Sequence, residues 1–307
     1  MSKVIEARSE IIFLYDAKDI NPNGDPFENK PRIDDETEIN IVTDTRLKRT
    51  IRDYLDSFKN SDIFISIKRN EDGSLLSRDE RLKSLDIDKN NKQEIFKKYL
   101  DLRLFGATIA VDKTDKKEKG WSITATGPVQ FNIGRSLNKV KVETIKGTTV
   151  MPSESGKTQG TFTETSIVNY SLICFHGIVN ENAAKHTLLT DDDVDLLFEA
   201  MWNGTKNLIT RSKVGQESRM LIQVIYKNKG YHIGDIHRLI SAEFSKDEMS
   251  IRDIKELKIN LSNLINILLT NSDKIEKVKI KIDPQLATFP NFKDSLTDNI
   301  VLEEFNF

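Results

Sequence analysis

Apolar positions along the chain follow two rhythms, and their order predicts the architecture. Residues 4–15 alternate and then run apolar into IIFLY, the pattern of a buried strand. After a turn rich in Asn, Gly and Pro, the spacing changes. Leu47, Ile51, Tyr54, Leu55 and Phe58 form one stripe of a helix over 44–58, with Arg49, Arg52 and Asp53 off it. Thr43 or Asp44 is placed to cap that helix. Strand patterning returns in FISIKRN (64–70), WSITATGPVQFNIGRS (121–136), SIVNYSLICFHGIV (166–179), SRMLIQVIYKN (218–228) and KVKIKI (277–282). A second helix starts after Thr190 and runs through Trp202, with Val194, Leu197, Phe198 and Met201 as its core stripe. Residues 246–271 read as helical.

Two stretches break this rhythm. Residues 70–120 are charged and weakly periodic, with helical pieces near 78–85 and 92–101 and a solvated loop, DKTDKKEKG, at 112–120. They read as an insertion on a smaller core. Residues 137–165 are rich in Lys, Thr, Gly, Ser and Glu and have few large apolar side chains, which predicts a long loop or hairpin; loops of that length are usually functional or disordered. Without the insertions, the order is β–α–β, β–α–β, an α+β arrangement matching a ferredoxin-like core, the fold of the RNA recognition module. The strands lack that module's base-stacking aromatics, so RNA contact would go mainly to the backbone.

At 307 residues the chain suits one large domain or two modest ones, and 37% hydrophobic content supports a real core. Lys and Arg number 46 against 48 Asp and Glu, a net charge of −2, which argues against a uniformly basic nucleic-acid binder. The charges are segregated, however: acids crowd 16–38 and 181–199, and cations crowd 46–52 and 135–157. The single cysteine, Cys174, excludes an internal disulfide and, between Ile173 and Phe175, reads as a buried strand residue. With no signal-peptide pattern and no apolar run of spanning length, the expected location is cytoplasmic, away from membranes.

The segment richest in chemistry is 11–55, where a strand runs into the turn holding Asn21, Asn23 and Gly24. The helix beyond carries Arg46, Lys48, Arg49 and Arg52 in its first turns. Backbone N–H groups of such turns, and the positive end of a helix, attract phosphate. Arg135 strengthens the phosphate reading. A second basic turn, Thr210 to Lys213, with Arg211 and Lys213, reads equally as a phosphate contact or a plain loop. Asp19 to Gly24 fits the first half of an EF-hand, but Lys30 stands where the bidentate Glu belongs, and the loop follows a strand. Pro22, Gly24 and Pro26 explain that segment as a turn. Asp191, Asp192 and Asp193 follow Thr190 at a helix start, where acids complement the dipole and Thr190 with Asp193 makes a capping box. His176, His186, His232 and His237 fit no zinc spacing. His176 reads as a core residue, since no paired nucleophile supports a general base.

NPNGDP (21–26), PRID (31–34), VTDTRLKRTIRDYL (42–55), DLRLFG (101–106) and GPVQFNIGRS (127–136) occur in this order, joined to NYSLICFHGIVNENAAKHT (169–187). Over residues 8–230 this resembles the backbone subunit of CRISPR type I surveillance complexes (Cascade), a RAMP-superfamily protein, in the branch of types I-B and I-C. The resemblance implies a hand: a modified RNA-recognition palm (1–69, 121–136 and 166–245), inserted fingers (70–120), a thumb hairpin (137–165) and a C-terminal extension of the palm (246–307). It implies a scaffold without catalysis or cofactor. Copies would line up along a guide RNA beside other Cascade subunits and present its bases to target DNA. The matching positions are Asn21, Asn23 and Gly24; Arg46, Lys48, Arg49 and Arg52; and Gln130, Phe131, Arg135 and Ser136. Met151, Lys157 and Thr163 belong to the thumb, where the sequence departs from type I-C in detail. Two rivals stand beside this reading: a metal-dependent nuclease built on the acidic loop 19–35, with Asp34 or Asp35 as in related type III proteins, and a protein-only scaffold.

Overall fold

The computed structural model describes residues 3–77, 80–81, 93–111, 121–148, 162–296 and 299–307. In chain order, β1 (Ser9–Ile20), β2 (Ile33–Asp34) and β3 (Ile39–Val42) precede α1 (Asp44–Lys59). Next come α2 (Glu94–Lys98), α3 (Leu100–Phe105), β4 (Gly106–Val111), β5 (Trp121–Thr126), β6 (Val129–Phe131), β7 (Gly134–Lys139) and β8 (Val142–Thr148). The long β9 (Phe162–Val179) leads to α4 (Glu181–Thr187), α5 (Asp191–Lys206) and β10 (Gln216–Tyr226). The C-terminal part holds β11 (Ser241–Phe244), β12 (Leu257–Asn260), α6 (Ser262–Thr270), β13 (Ile275–Ile282), β14 (Thr288–Phe289), α7 (Phe292–Leu296) and β15 (Val301–Glu304).

The protein is mixed α+β. Its large mixed sheet has the order β15-β13-β10-β1-β9-β7-β3-β2, with β6 and β8 also paired to β9. β1 lies between β9 and β10, both antiparallel to it, with Phe13 opposite Phe175 and Leu221. Side chains alternate across a strand, so β1 feeds two cores. Ile11, Phe13, Tyr15 and Ala17 pack with α1 and α5, whereas Ile12 and Leu14 pack with the layer formed by residues 236–300. Both faces are therefore covered, which accounts for the unbroken apolar run. Gly204 lets α5 approach α1 closely: a Cβ there would stand 3.0 Å from Tyr54 Cβ.

Caps fix the helix starts. Thr43 Oγ1 accepts from Arg46 N (3.2 Å), and Thr190 with Asp193 forms the expected capping box. Among the described residues no helix is long and apolar enough to cross a membrane.

Several elements differ from the sequence expectation. Residues 64–70 are not a strand. The N–H groups of Phe64 and Ile65 are taken by the Asp101 carboxylate (2.7 and 3.0 Å), and only Arg69 bridges Leu75. β5 does not join the large sheet; it pairs with β4 over Gly106–Val111. Phe64, Ile95, Phe96, Tyr99, Leu102, Ala107, Ile109 and Ile123 form a separate small core, drawn from residues both within and outside 70–120. The helix expected over 92–101 is two short helices, broken where Tyr99 is extended. Most of the helix expected at 78–85, and the loop 112–120, lie outside the described residues. Only Ser262–Thr270 of the helix expected over 246–271 is α-helical. Leu257 and Ile259 are buried on alternate positions of β12, which lies between β11 and β14, so a strand period precedes the helix. Between 137 and 165, β8 pairs with β9 from Val142↔Val168 to Thr148↔Phe162, a hairpin arm; 149–161 lie outside the described residues.

Candidate nucleic-acid interface

The turn after β1 is held from within. The Asp25 carboxylate accepts from the N–H groups of Phe27 (2.8 Å), Glu28 (2.9 Å) and Lys30 (2.8 Å), and these bonds hold its carboxyl below the usual range. Asn21 N donates to Ser212 O, Asp25 N to Lys30 O and Asn29 N to Asp25 O, so the N–H groups of these residues are engaged within the protein. Asn21 is 1% exposed and donates through Nδ2 to Asn29 O at 2.6 Å. Asn23 Oδ1 accepts from Thr43 N (2.9 Å) and Thr43 Oγ1 (3.0 Å), which ties the turn to the α1 cap. A Cβ on Gly24 would fall 2.1 Å from Asn29 Oδ1, so a larger residue there would displace the Asn29 side chain.

The four helix cations have different fates. Arg52 is buried, with Nε 3.0 Å from the fully buried Asp101 and its guanidinium 4.9 Å over the Phe105 ring. It is a strut between α1 and α3 rather than the solvent-facing cation expected. Lys48 Nζ lies 3.1 Å from both Asp44 Oδ2 and Gln130 Oε1, and Arg49 Nε lies 2.6 Å from Asp53 Oδ1. Arg46 is less satisfied. Nη2 donates to Thr50 Oγ1 at 3.1 Å, Asp53 is 4.0 Å away, and Nε is buried with no partner. Burial lowers its guanidinium pKa.

Lys213 meets Arg46 from the other side. Its Nζ donates to Asn21 O at 2.5 Å. Burial first, and then the Arg46 charge, pull its ammonium down to about 8, and among the described residues no carboxylate offsets them. Asn21 Oδ1 is also buried without a partner. Two partly desolvated cations thus converge beside the 21–31 turn, Arg46 with only Asp53 at 4.0 Å and Lys213 with no carboxylate acting on it, a local positive field that an anion would neutralise. Arg211, in the same loop, is exposed.

The remaining expected residues fall into two groups. Gln130 bridges Lys48 and Gly127 O, and Phe131 is buried with its ring 2.6 Å from where a Gly177 Cβ would stand. Ser136 is buried; its Oγ accepts from Asn40 N (2.9 Å) and donates to Asn138 O (2.6 Å). Phe131 and Ser136 are directed inward, whereas Gln130, between buried Val129 and Phe131, faces the exposed side of β6. Arg135 is half exposed and reaches Asp34 at 3.1 Å. Thr163 is partly exposed on β9 opposite Gly147, whereas Met151 and Lys157 lie outside the described residues.

Asp34 is engaged by Arg135 and by the N–H groups of Glu36 and Thr37, which lower its pKa. Among the described residues no group of three His, Cys, Asp or Glu side chains is arranged to hold a metal ion. His176 is a core residue, as expected, with Nε2 2.9 Å from Glu10 Oε1. Sequence reading missed Asp101 as the partner of Arg52. It lay in the DLRLFG motif, but nothing local pointed to its contact.

The fold is shared with chains of solved surveillance complexes. One described as "CRISPR RNA-guided surveillance complex, pre-nicking" aligns with a TM-score of 0.54 at 11% identity, covering 95% of this chain and 98% of that one. Another, "CRISPR RNA-guided surveillance complex", gives 0.50 at 14% identity, covering 95% and 97%. The family model described as CRISPR-associated protein Cas7 matches residues 7–262, and the chain belongs to this family, that of the backbone subunit of type I Cascade. A "CRISPR-associated protein Cas7" of Haloferax volcanii is 33% identical over 303 residues, spanning 91% of this chain and 88% of that protein.

Proposed function

We propose that this protein is a non-catalytic RNA-binding scaffold that polymerises along the guide RNA of a Cascade surveillance complex. It would hold the sugar–phosphate chain and leave base pairing with target DNA to read sequence, as in RNA-guided effectors generally. Its partners would be guide RNA, further copies of itself and other Cascade subunits. Family membership supports the role, and the observation that carries RNA contact is the convergence of a loosely paired Arg46 on Lys213, which no carboxylate offsets.

The strand order β10-β1-β9-β7, with α1 and α5 on one face, supports a ferredoxin-like palm. The small core around Phe64 and Ile123 supports fingers, and the β8–β9 arm supports a thumb. In this reading Arg46 and Lys213 hold phosphate, with Arg211 and Arg135 at the rim. Asn21, Asn23, Gly24, Gln130, Phe131, Ser136 and Arg52 position them. Lys48 and Arg49 contribute once they leave their carboxylates, and Thr163, Met151 and Lys157 act from the thumb. The engagement of Asp34 by Arg135 gives the nuclease alternative no support.

The test is filter binding of a short single-stranded RNA over a salt series. Because bound phosphates release counterions, losing two contacts should flatten the log–log salt slope by about 1.4 per copy. Arg46→Ala/Lys213→Ala should show that change while retaining native circular dichroism. An unchanged slope refutes the assignment. A preparation free of nucleic acid by its 260/280 absorbance, and unable to bind RNA, would favour a protein-only scaffold.

A further inference from the structure

We infer that when Arg46 and Lys213 close on one phosphate group, the Lys213 amine takes up a proton, so that the grip on RNA weakens with rising pH. The inference rests on the RNA-binding reading above and adds a regulation of the same site. Lys213 Nζ is part-buried against the Asn21 carbonyl at 2.5 Å. The carbonyl accepts one N–H bond and carries no formal charge. The charge of Arg46, on α1, acts on Lys213, and Arg46 Nε is itself buried without a partner.

Other charged groups nearby are committed elsewhere. Lys18 on β1 pairs with Asp253 (3.2 Å) and Glu217 on β10 with Lys206 (3.8 Å); Asp53 on α1 is held by Arg49 (2.6 Å) and reaches Arg46 at 4.0 Å, but is not among the charges that act on Lys213. Arg211, in the same loop, adds only like charge. Empty, the site therefore disfavours a second cation; it holds the Lys213 ammonium near 8. A bound phosphodiester supplies the missing negative charge and returns the amine toward the ordinary lysine value of about 10.4. Two linked equilibria follow: the anion enters, and a proton is drawn from solvent onto Nζ.

The probe is a short oligoadenylate, whose bases do not titrate in the window used. One titrating lysine predicts an affinity about tenfold weaker at about pH 9 than at about pH 7. Calorimetry in buffers of different ionisation enthalpy should show roughly half a proton taken up per bound copy at about pH 8. Lys213→Arg keeps the charge at all these pH values, so whatever affinity it has at neutral pH should show no slope up to about pH 9. Wild-type binding that is flat with pH, or a slope that persists in Lys213→Arg, overturns the proton linkage and leaves RNA binding standing. No binding at any pH overturns the functional reading itself, and the linkage with it. The wild-type calorimetry decides the matter even if the variant folds poorly.

Discussion

Replacing Arg52 by alanine separates a structural cation from a ligand-binding one. Arg52 is 9% exposed; its Nε sits 3.0 Å from Asp101, and its guanidinium stacks 4.9 Å above Phe105. In Arg52→Ala, Asp101 keeps its bonds from Phe64 N and Ile65 N but loses its cation while remaining fully buried. Breaking a buried pair from one side costs about 3–5 kcal/mol. The lost cation–π contact adds ~1 kcal/mol. The two retained N–H bonds offset part of this, leaving a loss of about 3–4 kcal/mol.

With an unfolding entropy of about 2.1 cal/mol/K per residue, that loss lowers Tm by roughly 5–6 °C in a chain of this length. Urea unfolding of RNA-free protein measures it, and a double-mutant cycle with Asp101→Asn should return a coupling of about 2 kcal/mol. Arg49→Ala, which breaks a half-exposed pair, should cost under ~1 kcal/mol. If Arg52→Ala unfolded at the wild-type urea concentration yet lost RNA affinity, the strut assignment would be wrong and Arg52 would be a phosphate ligand.

Two further outcomes follow from buried groups. The His237 ring stacks 4.7 Å from His176, which is bonded to Glu10; its Nδ1 is buried without a partner, and Asp235 and Arg238 flank it. Burial, and then His176, hold its pKa below the ordinary 6.5. The unfolded chain therefore binds the extra proton first, and the stability present above 6.5 is lost as pH falls from there toward the folded value. Asp16, raised to about 6 by burial, works in the opposite direction, so the informative measurement is the difference in Tm between wild type and His237→Phe across that window. The variant should lose less stability on acidification, and parallel curves would count against the assignment. Cys174, whose thiol burial pushes up to about 12, should not react with a thiol reagent in the native protein near pH 8 and should react once on unfolding; fast native labelling would contradict its burial.

The sequence by itself determined the parts that local physics decides. The run IIFLY marked a buried strand, and the fold supplied a core on each of its faces. The stripe from Leu47 to Leu55 marked α1, although Phe58 at its end proved 56% exposed. Thr43, Thr190 and Asp193 marked the helix starts, because capping is a matter of adjacent residues. Tertiary structure decided which polar side chains are free. Periodicity shows which face of an element is apolar, but the partner of a charge is set by what topology brings opposite it. Four cations within one helix therefore looked alike in the chain, and packing separated them. Arg52 met Asp101 from the insertion, and Arg49 met Asp53 one turn away. Arg46, with only Asp53 at 4.0 Å, met the charge of Lys213 from a distant loop. FISIKRN failed for the same reason: its alternation suits a strand, but Asp101 occupies the N–H groups that a neighbouring strand would have needed.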